Sequence, residues 1–142
     1  MTHSLNDLAF SEISLGLSDS FQIKLTEEMV NSFLKLSGDF NPLHADESYA
    51  QNTPFGKRVV PGMLLSSFFS RLVGMHLPGK QALYLSQQLQ FKKPAFIGDA
   101  IVVTGTVQRI SIPLRIITMQ TQIARDGTST VLVDGECRVQ YR

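Results

Sequence analysis

The chain has 142 residues, of which 43% are hydrophobic and 18% are charged, so it is long enough to form one domain with its own core. A formal net charge of +1, with lysines and arginines scattered along the chain, argues against a nucleic-acid partner. The single cysteine, Cys137, excludes an intrachain disulfide and a cysteine-based metal cluster, and we interpret it as a small buried hydrophobic residue.

The first 18 residues are mixed in character and predict a loosely held arm, within a single domain over residues 1–142. Residues 1–10 contain Asp7 and no long apolar core, so we do not interpret them as a signal peptide or an anchor. No apolar run elsewhere is long enough to span a bilayer. We therefore expect a cytoplasmic protein with no membrane partner.

A strand and then a helix are predicted after the arm. Phe21, Ile23 and Leu25 alternate with polar residues, which is the period-two pattern of a half-buried strand. Thr26 is a candidate N-cap for a helix that ends at residues 37–38. Its apolar stripe at helical spacing consists of Met29, Val30, Phe33, Leu34 and Leu36.

Directly after this helix lies a turn with the sequence SGDFNPLHAD, over residues 37–46. Gly38 suits a left-handed helix C-cap, and Pro42 favours extended geometry in the residue before it, so the chain turns sharply. Such a turn can aim Asp39 and His44 at one point, which is what general acid–base chemistry requires. Aspartate in a Gly/Pro turn also commonly bonds its own backbone, and a lone histidine is more often structural. Taken alone, the stretch favours the structural interpretation.

The most apolar helix of the chain is predicted to begin at residue 61. Pro61 suits the first helical position, because its fixed φ is helical and its missing N–H would have no helical partner there. Apolar residues between 63 and 75 point in nearly every direction, which predicts a helix buried on most sides. The unpaired N–H groups at its Gly62 end could hold an anion or a polarised carbonyl. Three serines interrupt the helix, and bonding to the preceding turn is their commoner role: Ser66, Ser67 and Ser70.

Strand patterns dominate from residue 81 onward. One face of the first strand is predicted to carry Leu83, Leu85, Leu89 and Phe91. Gln87 falls on this apolar face, and we interpret it as a hydrogen-bonded core amide, with a ligand-facing amide as the alternative. Residues 126–127 (DG) predict a hairpin between the last two strands. A buried helix followed by long antiparallel strands predicts an α+β fold, and its exposed sheet edges offer a route to a homodimer.

Three stretches of the chain resemble the MaoC-like hydratase family, in the same order and at similar spacing. They are SGDFNPLHAD over residues 37–46, VPGMLL over 60–65 and FKKPAFIGD over 91–99. The resemblance extends from about Phe21 to Tyr141 and is strongest to the single-domain (R)-specific enoyl-CoA hydratases that feed polyhydroxyalkanoate synthesis.

This resemblance implies a hot-dog fold, in which an antiparallel sheet wraps around a central buried helix, and a homodimer. It implies that Asp39 and His44 are catalytic, that the backbone N–H of Gly62 contacts the substrate carbonyl, and that Ser70 belongs to the active-site surroundings. Relatives commonly have histidine before this glycine, where the chain has Pro61. Pro61 leaves the Gly62 amide intact, so we expect activity to be kept and the mouth of the acyl pocket to be altered.

The activity implied is the hydration of a trans-2-enoyl-CoA to an (R)-3-hydroxyacyl-CoA. Asp39 and His44 would hold one water molecule between them, while the Gly62 amide would bind the thioester oxygen as negative charge develops there. The conjugated thioester is already electrophilic, so we expect no cofactor. The three histidines also lack a spacing typical of metal ligands.

Other functions remain open at the level of sequence. The acyl group could be carried on acyl carrier protein instead of CoA, and a thioesterase or a non-catalytic acyl-thioester-binding module are further alternatives. The intact set of Asp39, His44 and Gly62 argues against the non-catalytic module. Scattered basic residues that could meet a CoA phosphate or an acidic carrier, but are more often solvated surface, are Lys57, Arg58, Arg71 and Lys93.

Overall fold

A five-stranded antiparallel sheet dominates the fold in the computed structural model, which describes residues 4–142 of the chain. The strands, in chain order, are β1 (Ser18–Lys24), β2 (Ala82–Phe91), β3 (Ala100–Ser111), β4 (Ile116–Arg125) and β5 (Val131–Tyr141). Their order across the sheet is β1-β3-β4-β5-β2, so β1 and β2 form its two edges. The long connection between the edge strands carries all four α-helices.

The four helices are α1 (Glu27–Ser37), α2 (Pro42–Ala45), α3 (Glu47–Gln51) and α4 (Gly62–Arg71). A π-helical turn, Leu72–His76, continues α4. The hydroxyl of Thr26 accepts a hydrogen bond from the Met29 N–H at 3.2 Å, as predicted for an N-cap. No helix within residues 4–142 combines the length and apolar character that crossing a membrane requires.

The sheet packs around α4, which confirms the predicted α+β architecture with a central helix. Four buried side chains along α4 and the following turn share one core cluster with residues of α1 and the sheet. The helix contributes Leu64, Leu65, Phe69 and Leu72 to that cluster. The sheet contributes Phe21, Ile101, Val103, Ile123, Leu132 and Val133. Four of the five strands thus contribute buried apolar side chains to the cluster around this helix, and burial of this surface is the main source of stability.

The prediction that α4 is buried on most sides is wrong for one side of the helix. Met63 is 59% exposed, and Ser67 and Ser70 are also exposed. These residues recur at helical spacing and therefore mark a single stripe that faces away from the sheet. The helix also begins one residue later than predicted, because Pro61 has the extended ψ of 130° and acts as the N-cap residue, while Gly62 takes the first helical position.

Of the predicted apolar face of β2, only Leu89 packs against the core, and Phe91 at the end of the strand is 53% exposed. A β-bulge between Tyr84 and Ser86 shifts the pairing with β5 by one residue. Since side chains alternate with a period of two, one extra residue moves the preceding positions to the other face. Leu83 and Leu85 are consequently exposed, and Tyr84 packs against the core in their place.

Two further sequence predictions concern α1 and the arm. The sequence predicts Leu36 in the apolar stripe of α1, but its side chain is 87% exposed. The buried residues of this helix are Val30 and Leu34. The arm is not loosely held in its described part, because Ile13 is buried and the Tyr141 hydroxyl donates to the Leu8 carbonyl at 2.6 Å. Residues 1–3, which the arm prediction also covers, lie outside the described part of the chain.

Gln87 is the hydrogen-bonded core amide that the sequence predicts. Its Oε1 accepts from the Tyr84 hydroxyl, and its Nε2 donates to the Thr121 hydroxyl at 2.9 Å and to the Gln88 carbonyl at 2.7 Å. Cys137 lies beside Tyr84 and is fully buried, as predicted. Burial raises the pKa of the Cys137 thiol to about 11, so the thiol is neutral at physiological pH.

Candidate active site

A cavity of about 440 Å³ lies where the turn after α1, the first turn of α4 and the end of β2 meet. Asp39, His44 and Gly62 all line it. Most of the remaining wall is apolar and includes Phe55, Val59, Met63, Leu65 and Phe91. A few polar groups converging on an apolar cavity are typical of sites that bind small molecules.

Asp39 reaches the cavity because α1 ends in the predicted left-handed cap. Gly38 has φ = 77°, and its N–H donates to the Leu34 carbonyl at 2.9 Å. Asp39 follows on the exposed turn, and its Oδ1 accepts from the Asn41 N–H at 3.2 Å. This bond to the nearby backbone is the one that the structural interpretation of Asp39 predicts. Asp39 nevertheless lines the cavity, so the two interpretations do not exclude each other.

His44 lies on α2, which begins where Asn41 caps it by accepting from the Leu43 N–H at 3.0 Å. The His44 ring is half-buried, and its Nδ1 lies 2.7 Å from the Val59 carbonyl oxygen. A carbonyl oxygen can only accept a hydrogen bond, so Nδ1 carries the proton. In the neutral ring, Nε2 is then the atom with a free lone pair. One ring nitrogen is fixed by the fold and the other is available for proton transfer.

Gly62 is the first residue of α4, and its N–H is one of the amides at the helix start that have no partner within the helix. These amides carry the positive end of the helix dipole, which favours a developing negative charge. Phe91 packs closely on this glycine, because a Cβ added at residue 62 would lie 2.7 Å from its Cε1 atom. A larger residue would have to displace this ring, whereas the backbone of Gly62 sets no such demand, since Gly62 is not among the residues with positive φ.

Ser70 lies about two turns farther along α4, on its exposed side, and is not among the described residues that line the cavity. Its predicted place in the active-site surroundings stays a prediction. The other two serines bond to the preceding turn, as expected for serines in a helix: Ser66 donates to the Gly62 carbonyl at 2.9 Å and Ser67 to the Leu64 carbonyl at 2.6 Å.

The basic residues divide into those at the cavity and those used elsewhere. Lys92 and Lys93 line the cavity, and only Lys93 was singled out from the sequence. Arg58 is only 7% exposed and is engaged in internal hydrogen bonds, so it is not a surface group that could meet a phosphate. The ammonium of Lys57 lies 4.6 Å from the centre of the Phe96 ring. The described residues contain no cluster of three His, Cys, Asp or Glu side chains suited to a metal.

The aromatic walls of the cavity escaped the sequence argument. Phe91 begins the resembling stretch over residues 91–99, which is a signal, but its position in the pattern indicates only a strand face. Phe55 lies outside the three resembling stretches and carries no such signal. Only the folded chain shows that both meet Gly62 in one cavity.

Comparison with known proteins gives consistent results. The family described as "MaoC like domain" matches residues 14–128. An (R)-specific enoyl-CoA hydratase of Aeromonas caviae is 43% identical over 111 residues, which are 78% of this chain and 82% of the relative. A mitochondrial 3-hydroxyacyl-[acyl-carrier-protein] dehydratase of Arabidopsis thaliana is 37% identical over 115 residues, which are 78% of this chain and 67% of the relative.

The fold is likewise similar to a solved structure. An (R)-hydratase from A. caviae, described as involved in PHA biosynthesis, superposes with a TM-score of 0.88 and 38% sequence identity. The superposition covers 92% of this chain and 98% of the hydratase chain. This similarity confirms the hot-dog fold.

Proposed function

Because the chain belongs to the MaoC-like domain family, we propose that it is an (R)-specific enoyl-CoA hydratase, which adds water to a trans-2-enoyl-CoA to form an (R)-3-hydroxyacyl-CoA. The observation that carries the proposal is the meeting of Asp39, His44 and Gly62 in one largely apolar cavity. Two groups that can transfer protons thus stand near an amide suited to a carbonyl oxygen. The apolar wall offers space for the acyl chain.

In the proposed reaction, Asp39 and His44 hold one water molecule over the double bond. Together they take a proton from this water as its oxygen bonds to the β-carbon, and a proton from the pair is then added to the α-carbon on the same face. The net result is the addition of one water. On the histidine, Nε2 is the atom that takes part, because Nδ1 is held by the Val59 carbonyl.

The negative charge that develops on the thioester oxygen needs a donor during this step. We assign that role to the Gly62 N–H, at the positive end of α4. An amide fixed by a buried helix requires no reorganisation as the charge appears, which is why such donors are effective. Removing one oxyanion donor from other enzymes lowers kcat by about 100- to 1,000-fold.

Lys92 and Lys93 support a substrate whose carrier has phosphate groups, because both line the cavity. CoA and acyl carrier protein both satisfy this condition, and relatives are named for each carrier. We favour CoA because the match covers 82% of the A. caviae hydratase but 67% of the carrier-protein dehydratase, and because the superposed (R)-hydratase has the same fold over nearly its whole length. Comparing kcat/KM for the same enoyl group on the two carriers tests this choice.

We propose further that the chain forms a homodimer and that polyhydroxyalkanoate synthesis uses its product. The edge strand β2 supports a dimer, because it carries the exposed side chains of Leu83 and Leu85 beside an unpaired edge of the described sheet. The proposed use of the product comes from the description of the A. caviae structure. Sedimentation at several concentrations tests the dimer, and a monomer throughout would contradict it.

The reaction itself is tested by following the loss of enoyl-thioester absorbance with crotonyl-CoA and longer trans-2-enoyl-CoAs. We expect turnover and a product that chiral analysis identifies as the (R)-3-hydroxyacyl thioester. A product that is only (S) would contradict the proposal, as would free thiol release without hydration, which would indicate a thioesterase. Saturable binding without any turnover would instead indicate an acyl-thioester-binding module.

A further inference from the structure

Arg58 is a buried arginine that joins the His44 turn to α1. We propose that Arg58 is a positioning residue, which fixes the direction in which the His44 imidazole presents Nε2 to the cavity. This inference rests on the proposed function in so far as His44 takes part in the reaction. Its structural content, the orientation and tautomer of one ring, can be measured without turnover.

Every nitrogen of the Arg58 guanidinium has a partner. Nε donates to the His44 carbonyl oxygen at 2.7 Å, Nη1 to Glu27 Oε1 at 3.1 Å and Nη2 to Asn31 Oδ1 at 2.8 Å. Glu27 and Asn31 lie one turn apart on α1, so two nitrogens hold the helix and the third holds the turn. Since the guanidinium is planar and rigid, these three bonds fix the distance between α1 and His44.

The segment that carries Arg58 also holds the His44 ring. Val59, the next residue, accepts the hydrogen bond from Nδ1 of His44 at 2.7 Å. The Val59 N–H donates to the Leu43 carbonyl at 3.1 Å. Residues 43–44 and 58–59 are therefore joined by three hydrogen bonds, one of them from the Arg58 side chain. A displacement of the Arg58 segment would displace the acceptor that orients the ring.

The ion pair with Glu27 does not explain why Arg58 is buried. The Glu27 side chain is 68% exposed, so its carboxylate stays largely hydrated and can offset little of what burying the guanidinium costs. The bond from Nε to the His44 carbonyl is the one that reaches the proposed active site. Lysine keeps the charge at this position, but all its donors sit on one nitrogen at the end of a flexible chain, so it cannot reproduce three donors at fixed separations.

The loss of the three hydrogen bonds of the Arg58 guanidinium should matter for catalysis, because proton transfer depends steeply on geometry. A misplacement of 1 Å can cost about 100-fold in rate, even when the change is far from the reacting atoms. We therefore expect Arg58→Lys to lower kcat by about 10- to 100-fold. KM should change by less than about 3-fold, because Arg58 lies outside the substrate cavity.

The experiment combines kinetics with ¹⁵N NMR of the His44 ring, recorded in alkaline buffer so that the signals of the neutral ring are compared. In the wild type, we expect one His44 tautomer, with the proton on Nδ1. In Arg58→Lys, we expect the two ring nitrogens to move towards averaged shifts, together with the loss in kcat. Glu27→Gln is the matched control, since it removes the ion pair and leaves the three hydrogen bonds of the guanidinium in place. Its kcat should stay within about 2-fold of wild type, and the ¹⁵N shifts of its His44 ring should match those of the wild type.

A double variant separates positioning from general destabilisation. If Arg58 acts through His44, Arg58→Lys should have no further effect on kcat in a His44→Ala background. An additive loss would overturn the proposal. So would an unchanged His44 tautomer in folded Arg58→Lys, whether or not turnover falls.

Two precautions keep the test decisive. If Arg58→Lys does not fold, the double variant Glu27→Ala/Asn31→Ala takes its place, because it removes both acceptors on α1 and keeps Arg58 itself. Unchanged ring signals in that folded variant would overturn the proposal. If the wild type shows no hydration, the proposed function fails, and the ring signals of Arg58→Lys still decide whether Arg58 positions His44.

Discussion

The ring of Phe91, at the end of β2, packs directly on the first residue of α4, Gly62. A Cβ built on Gly62 would lie 2.7 Å from Cε1 and 2.8 Å from Cδ1 of that ring, closer than side-chain carbons approach in folded proteins. Part of the wall of the proposed active site is thus formed where this aromatic ring packs on the glycine. This contact couples the position of the proposed carbonyl-binding amide to the end of an edge strand.

Gly62→Ala should therefore destabilise the protein by about 0.5–1.5 kcal/mol, the cost of forcing the half-exposed Phe91 ring away from its preferred rotamer. Phe91→Leu in the same chain should recover part of this loss, because it removes the ring that the new methyl group meets. Urea unfolding of both single variants and the double variant measures the coupling. Alanine keeps the N–H group, so the double variant should also regain turnover relative to Gly62→Ala. Strictly additive losses in unfolding free energy would contradict the proposed steric contact.

Asp39→Asn and His44→Ala should each lower kcat by about 100- to 10,000-fold, the range typical of lost acid–base catalysis. The double variant should be about as slow as the slower single variant, since the two residues handle the same proton. Asp46→Asn is the matched control: Asp46 caps α3 by accepting from the Tyr49 N–H, and asparagine can do the same. The rate of crotonyl-CoA hydration is measured for all four variants. Wild-type rates in both Asp39→Asn and His44→Ala would exclude this acid–base pair.

Gly38→Ala should cost about 1–2 kcal/mol of unfolding free energy, because Gly38 has φ = 77°, where a Cβ is strained. No atom lies within 4 Å of a Cβ built there, so the cost is conformational and not a clash. Gly38→Asn should be milder, since asparagine tolerates this conformation better. In thermal unfolding, we expect the melting temperature to fall from the wild type to Gly38→Asn and further to Gly38→Ala. Equal stability of the two variants would show that left-handed strain is not the cause.

The pH dependence of stability should reflect the buried thiol of Cys137. Its pKa is raised by burial from 9.0 to about 11, so the unfolded chain loses this proton at a lower pH than the native protein. Between about pH 9 and 11 the native state binds more protons, and the unfolding free energy should fall by up to about 1.4 kcal/mol per pH unit.

Cys137→Ala should flatten this fall, although it lowers stability at pH 7 through the cavity it creates. Urea unfolding at pH 7, 9 and 10.5 makes the comparison. Ellman's reagent at pH 8 should react with the native wild type only as fast as the protein opens. An immediate reaction of the folded protein would contradict the burial of the thiol.

The half-buried amide of Gln87 should be costly to remove alone. Gln87→Leu leaves the hydroxyls of Tyr84 and Thr121 without this partner, at about 1–3 kcal/mol. Replacing all three groups by apolar ones of similar shape, with Tyr84→Phe and Thr121→Val, should be less destabilising than Gln87→Leu, because no donor is then left unpaired. Urea unfolding measures both, and a triple variant that is less stable than the single one would contradict this explanation.

Local signals in the sequence were sufficient wherever neighbouring residues decide the outcome. Thr26 caps α1 and Gly38 ends it, because a cap depends on one side chain and on the backbone next to it. The central helix beginning at residues 61–62 and the antiparallel strands after residue 81 follow in the same way from periodicity and breaker residues. The pairing of Asp39 with His44 as a candidate site also came from the sequence, with the resemblance to MaoC-like hydratases.

Relations between distant segments needed the tertiary structure. The bulge at Leu85 is set by pairing with β5, some 50 residues away, so alternation alone placed Leu83 and Leu85 on the wrong face. Arg58 was grouped with surface basic residues, because nothing in its own stretch shows that Glu27, Asn31 and the His44 carbonyl would surround it.

The sequence by itself determined the caps, the helix and strand periods and the chemical identity of the residues in the Asp39–His44 turn, since these depend on contacts within a few residues. Only the tertiary structure decided that this turn meets Gly62 and Phe91 in one cavity, and that Val59 selects the tautomer of His44. These contacts join residues far apart in the chain. Their geometry is fixed by how the sheet packs around α4, which no local pattern contains.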